Sequence, residues 1–114
     1  MRYLALLYSD ETVEATEQDW ADTMAAYTAF GEAAGAAGVI AGGDALQPTS
    51  TATTVRVRNG ETLTTDGPFA ETKEQLGGYY MLTCADLDDA IKWASQIPGA
   101  SMGCVEVRPV IEFD

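Results

Sequence analysis

Histidine is absent from this 114-residue chain, and cysteine, positive charge and uninterrupted apolar sequence are scarce. The missing histidine removes every Ser-His-Asp and Cys-His arrangement, and with it the side chain that moves protons most readily near neutral pH. Any acid-base chemistry falls to carboxylates, Lys or Tyr. It also removes the usual nitrogen ligand of a metal, and Cys84 and Cys104 lack the paired short spacing of a zinc site, so no metal is expected. Neither Gly42-Gly43 nor Gly77-Gly78 stands in the strand-loop-helix context of a phosphate cradle, so no nucleotide or other cofactor is expected either. Six Lys+Arg stand against 18 Asp+Glu, a formal charge of -12 with a pI near 4.1. That balance argues against contact with a nucleic-acid backbone. The first apolar run, Tyr3 to Tyr8, stops at Ser9-Asp10-Glu11, too short for a signal-peptide core or a membrane span, and the expected location is the cytoplasm.

The chain does hold one domain's worth of globular sequence, with 46% hydrophobic and 21% charged residues, read as a single domain over residues 1–114. Arg2 to Tyr8 is β-compatible and nearly all apolar, as in a central strand covered on both faces. Thr16-Glu-Gln-Asp19 predicts a helix N-cap, and Trp20, Met24, Tyr27, Phe30 and Ala34 recur at helical spacing to about Ala36. A second strand, Val39 to Leu46, contains glycines that signal a bulge or a close backbone approach. Thr53 to Arg58, Asn59-Gly60 and Glu61 to Thr65 read as a type I′ hairpin with Arg58 opposite Glu61. After the break at Asp66-Gly-Pro-Phe69, Leu76 to Cys84 predicts a third core strand. Asp86 caps a second helix carrying Leu87, Ala90, Ile91, Ala94 and Ile97 on one face and ending at Pro98-Gly99. Cys104 to Ile111 is the last strand, placed at an edge by Pro109. This order is the α+β, ferredoxin-like split βαβ arrangement with an antiparallel sheet of order 4-1-3-2 and an inserted hairpin. It separates Cys84 from Cys104 by an intervening strand, about 9 to 10 Å at normal strand spacing, which leaves both thiols free.

Three stretches carry a resemblance that covers essentially the whole chain: Ala52-Thr-Thr-Val-Arg56, Val105-Glu-Val-Arg-Pro-Val110 and the long block Asp66-Gly-Pro-Phe-Ala-Glu-Thr-Lys-Glu-Gln-Leu-Gly-Gly-Tyr-Tyr80. The chain resembles the DGPF subgroup of the YCII-related proteins, small bacterial proteins similar to dimeric ferredoxin-like α+β barrels. The resemblance implies a homodimer, and it implies an association with alternative sigma factors or transcription initiation. Some relatives carry a His-Asp pair proposed as catalytic, a role that cannot be transferred to a chain without histidine.

The strand order gathers chemistry at one rim. The ends of the first and second strands and the start of the third meet there, and the Asp66 to Lys73 segment enters it. Tyr8, Ser9, Asp44, Lys73 and Tyr79 become candidate ligand-binding residues, and Asp66 and Glu71 candidate acid-base residues. Each has a plainer role open to it. Asp66 can form an Asx-turn or a cap, Lys73 can neutralise Glu71 and Glu74, Asp44 can serve a turn, and Gly77 and Gly78 can allow close strand packing. Tyr79 and Tyr80 must point to opposite faces. Glu106 and Arg108 share a face and suit an ion pair, and Trp20, Tyr27 and Trp93 read as helix-packing aromatics.

Three functional classes remain. One is a small-molecule enzyme or binding protein with a homodimeric cavity, with Lys73 holding an anionic group. Another is an accessory or ligand-sensing protein that meets transcription machinery through protein contacts, and the third is a structural dimer with no ligand. All three share one expectation, tested by fluorescence polarisation with duplex DNA at physiological salt: no submicromolar, salt-sensitive binding.

Overall fold

The computed structural model describes residues 1–113. Its elements are β1 (Arg2–Ser9), α1 (Glu17–Ala36), β2 (Ile40–Ala45), a 3-10 turn (Thr49–Thr51), β3 (Thr53–Arg58), β4 (Glu61–Asp66), β5 (Gln75–Thr83), α2 (Leu87–Ala94), α3 (Gly99–Met102) and β6 (Cys104–Pro109). The fold is α+β. Four strands form an antiparallel sheet in the order β2-β5-β1-β6, and β3 and β4 form a separate two-stranded sheet. No helix among the described residues is long and apolar enough to cross a membrane.

Local chemistry starts both longer helices. Thr16 and Asp19 form a reciprocal capping box, the Thr16 hydroxyl accepting from the Asp19 N–H at 3.0 Å and the Asp19 carboxylate accepting from the Thr16 N–H at 3.0 Å. At α2 the Asp86 carboxylate accepts from the Asp89 N–H at 2.9 Å. The hairpin turns at Asn59 and Gly60, with φ of 53° and 78°, the two left-handed residues a type I′ turn demands.

Pairing fixes the faces of the sheet, because residues directly opposite in an antiparallel ladder project to the same side. Tyr3, Ala5 and Leu7 of β1 lie with Leu82 and Tyr80 of β5 and with Val105 and Val107 of β6 on the face that meets the helices. There Phe30, Ala34, Ala90, Ala94 and Ile97 complete the core, and Phe30 meets Tyr80 edge-on at 5.2 Å. Two glycines permit the closest approaches. A Cβ on Gly43 would stand 2.6 Å from the Tyr79 carbonyl oxygen, and one on Gly103 would overlap the Tyr8 carbonyl.

Several expectations are corrected. Within the single chain the helices cover only one face of the central strand: Leu4, Leu6 and Tyr8 are half-exposed while Tyr3 and Ala5 are buried. Trp20 and Met24 do not pack, each being 61% exposed, because the core takes only the later turns of α1 through Tyr27, Phe30 and Ala34. Helix α2 stops at Ala94, short of Pro98-Gly99, and that pair opens α3 instead. Leu87 and Ile91 face solvent, since Ala90 and Ala94 are the α2 residues turned to the sheet. Arg58 does stand opposite Glu61, yet its guanidinium donates to the Val57 carbonyl at 2.9 Å and no ion pair joins them.

The molecule is two layers thick, measuring 47 × 47 × 18 Å. Its radius of gyration of 16.2 Å exceeds the about 13 Å expected of a compact chain this long. The fold makes a direct prediction for urea unfolding. Leu82→Ala, at a fully buried position, should cost about 2–5 kcal/mol. Ile111→Ala, at a 72% exposed one, should change stability by less than about 0.5 kcal/mol. Equal effects would contradict the placement of the core.

Candidate functional site

The sheet face turned away from the helices is built row by row. Asp44, Tyr79, Leu6 and Glu106 stand side by side across β2, β5, β1 and β6. The next row is Gly42, Met81, Leu4 and Arg108, and on the other side of the first lie Leu76, Tyr8 and Cys104. Its six larger side chains of β1 and β5, Leu4, Leu6, Tyr8, Leu76, Tyr79 and Met81, are all only half-buried. This surface is thus apolar at its centre and polar at both edges.

On the β2 side, the Tyr79 hydroxyl donates to Asp44 Oδ2 at 2.9 Å. That bond, together with the negative charge of Asp44, holds the Tyr79 phenol above the ordinary tyrosine range, since ionising it would set two negative charges together. On the β6 side Arg108 donates to Glu106 Oε2 at 3.1 Å, the intramolecular pair their spacing suggested. Cys104 is exposed and its Sγ lies 3.8 Å from Glu74 Oε1; loss of some hydration, followed by the Glu74 charge, pushes its thiol up, away from the reactive thiolate. Cys84 is buried, and both thiols are free.

The other rim residues are more dispersed. Ser9 ends β1 opposite Gln75. Lys73 is exposed and makes no ion pair among the described residues. It adds weakly to the lowering of the Asp10 carboxyl, which comes mainly from the hydroxyl and N–H of Thr12 at 2.6 and 2.8 Å. Asp66 closes β4 opposite Thr53, and neither it nor Glu71 has a side-chain hydrogen-bond partner among the described residues. Neither an Asx-turn nor a cap is therefore formed by the Asp66 carboxylate. Two clefts of about 590 and 300 Å3 open elsewhere. One lies between α1 and α3 and the other between α2 and β6, and none of the seven rim residues lines either.

What organises the rim is a set of contacts that sequence spacing could not reveal. The Glu11 carboxylate accepts from the Thr49 hydroxyl at 2.6 Å and from the Thr49 N–H at 3.0 Å. The Glu11 N–H donates to Gln75 Oε1 at 2.9 Å, and the Gln75 amide donates to the Thr72 carbonyl. Glu11 and Thr49 are 38 residues apart, and no local motif marks either. Their loops follow β1 and β2, and the pairing of both strands with β5 brings them together.

The YCII-related domain matches residues 1–114. The chain belongs to the YCII-related family. An uncharacterized protein of Rhizobium meliloti (strain 1021) is 43% identical over 118 aligned positions, spanning 96% of this chain and 92% of its own length. In this YCII-related protein the face therefore combines apolar surface with a phenol-carboxylate pair that can hold a proton or receive a polar ligand group.

The Tyr79–Asp44 bond predicts a distinct titration. In phenolate absorbance, the component lost in Tyr79→Phe should ionise above the ordinary tyrosine range, and Asp44→Asn should bring it down. An unchanged titration in Asp44→Asn would contradict the pairing.

Proposed function

We propose that the protein is a homodimeric small-molecule-binding protein of the DGPF subgroup, in which two ferredoxin-like sheets meet face to face as a dimeric α+β barrel and enclose a ligand between them. The observation that carries this reading is the uncovered sheet face. Leu4, Leu6, Tyr8, Leu76, Tyr79 and Met81 stay partly in water in the single chain, although β1 and β5 are the two central strands. An antiparallel sheet with one solvated face normally alternates apolar with polar residues, and β1 does not. An exposed apolar surface of this kind marks an interaction site.

A second copy is the natural cover, because it brings an identical apolar face and needs no other gene product. The two sheets would contribute two Tyr79–Asp44 pairs at the margin of the enclosed space. Asp66 and Glu71 are the acid-base candidates of this reading and Lys73 the group that holds an anion, while Tyr8 and Ser9 border the entrance. The ligand class suggested is a small polar molecule with an apolar part, matched to a surface of that composition.

Sedimentation equilibrium tests the reading. The wild-type protein should be a dimer at micromolar concentration, and Leu6→Glu, which sets a charge in the middle of the face, should be a folded monomer with an unchanged circular dichroism spectrum. Native mass spectrometry of the dimer should detect a bound small molecule whose occupancy falls in Asp44→Asn. A monomeric wild type would overturn the proposal, and a dimer that carries no ligand under any condition would remove its binding half.

A further inference from the structure

The β3–β4 hairpin is the one unit of the fold with no core of its own. Of its strand residues only Thr54 is more than marginally covered; Val55, Val57 and Leu63 are 60%, 58% and 46% exposed, and Phe69 beyond its stem is 79% exposed. A two-stranded hairpin without a third strand or a helix against it is marginally stable in water. Its two six-residue strands reach about 20 Å.

The base of the hairpin, by contrast, is fixed. The Gly67 N–H donates to the Ala52 carbonyl at 2.7 Å, and the Thr54 hydroxyl donates to the Gly67 carbonyl at 2.9 Å. Just upstream, Thr49 is held by the Glu11 carboxylate. The first two bonds close the stem on itself, and the Glu11–Thr49 bonds attach the segment that leads into it to the body.

Charge points to what the arm touches. It holds two of the six basic residues, Arg56 and Arg58, and two of the 18 acidic ones, Glu61 and Asp66, so it is formally neutral and the body carries the whole charge of -12. Register places Arg56, Arg58, Leu63 and Glu61 on one face of the hairpin, a formal charge of +1, and Val55 and Val57 with Asp66 on the other. An arm with a basic, partly apolar face fits an acidic, partly apolar surface, and two bodies of this chain would otherwise repel each other.

We propose that the β3–β4 hairpin is an assembly arm that clasps the acidic body of a second copy of this chain. The inference rests on the dimeric reading above and adds a contact separate from the sheet face. Burial of Leu63 and of the aliphatic stems of Arg56 and Arg58 against the partner covers that face of the hairpin, which its own chain leaves open.

Sedimentation equilibrium on three proteins tests it. One is the wild type. The second is trimmed by removing residues 56–58 and 61–63, which leaves Val55 opposite Thr64 around Asn59-Gly60. The third is Arg56→Glu/Arg58→Glu, which keeps the hairpin and holds the test open should trimming impair folding. Both variants should weaken the dimer about tenfold or more. The deficit of the charge-reversed variant should shrink at high salt, where exposed charges are screened. A wild-type dimer with both variants equally tight overturns the arm and leaves the sheet-face dimer standing. A monomeric wild type removes the dimeric reading itself.

Discussion

A four-stranded sheet has two faces, and a chain with one layer of helices can cover only one of them. In this protein the central strands β1 and β5 carry apolar side chains on both. Tyr3, Ala5 and Leu82 are sealed beneath α1 and α2, whereas Leu4, Leu6 and Met81 on the opposite side stay half in water. The thin, broad shape, 18 Å across its short axis, follows from that arrangement. So does the exposure of the chemistry: the Tyr79–Asp44 pair and the Arg108–Glu106 pair sit at the margins of the uncovered face rather than in a closed pocket. The site proposed for this YCII-related protein is therefore incomplete in one chain, and its chemistry depends on what closes the sheet.

Much of the architecture was legible because its signals are local. Thr16 with Asp19, Asp86 ahead of α2 and Asn59-Gly60 each fix an element by hydrogen bonds or dihedral angles within a few residues. The opposite orientation of Tyr79 and Tyr80 follows from strand period alone, and the structure places Tyr80 against Phe30 and Tyr79 against Asp44. Periodicity failed where it had to be converted into burial. Trp20 and Met24 fall on the apolar stripe of α1, but the sheet lies under the later turns only. Leu87 and Ile91 fit the spacing of α2, yet its two alanines are what the sheet touches.

The rim shows the same division. Its Tyr79–Asp44 contact could be anticipated from strand order, since the two residues are paired neighbours on β5 and β2. The Glu11–Thr49 and Glu11–Gln75 bonds could not, because they join loops whose approach depends on how β1, β2 and β5 are connected. Those bonds bear on more than the rim. Through Glu11 they join Thr49, just ahead of the hairpin, to Gln75 at the start of β5.

Whether a second copy closes the sheet is measured most directly by hydroxyl-radical footprinting of Met81 and Tyr79 in the wild type and in Leu6→Glu, designed as a monomer. Both side chains are partly open in a single chain. Closure by a second copy predicts strong protection of Met81 and Tyr79 in the wild type at micromolar concentration, lost on dilution and in Leu6→Glu, with exposed Trp20 modified equally in both proteins. Met81 and Tyr79 modified in the wild type as readily as in the monomer would contradict it.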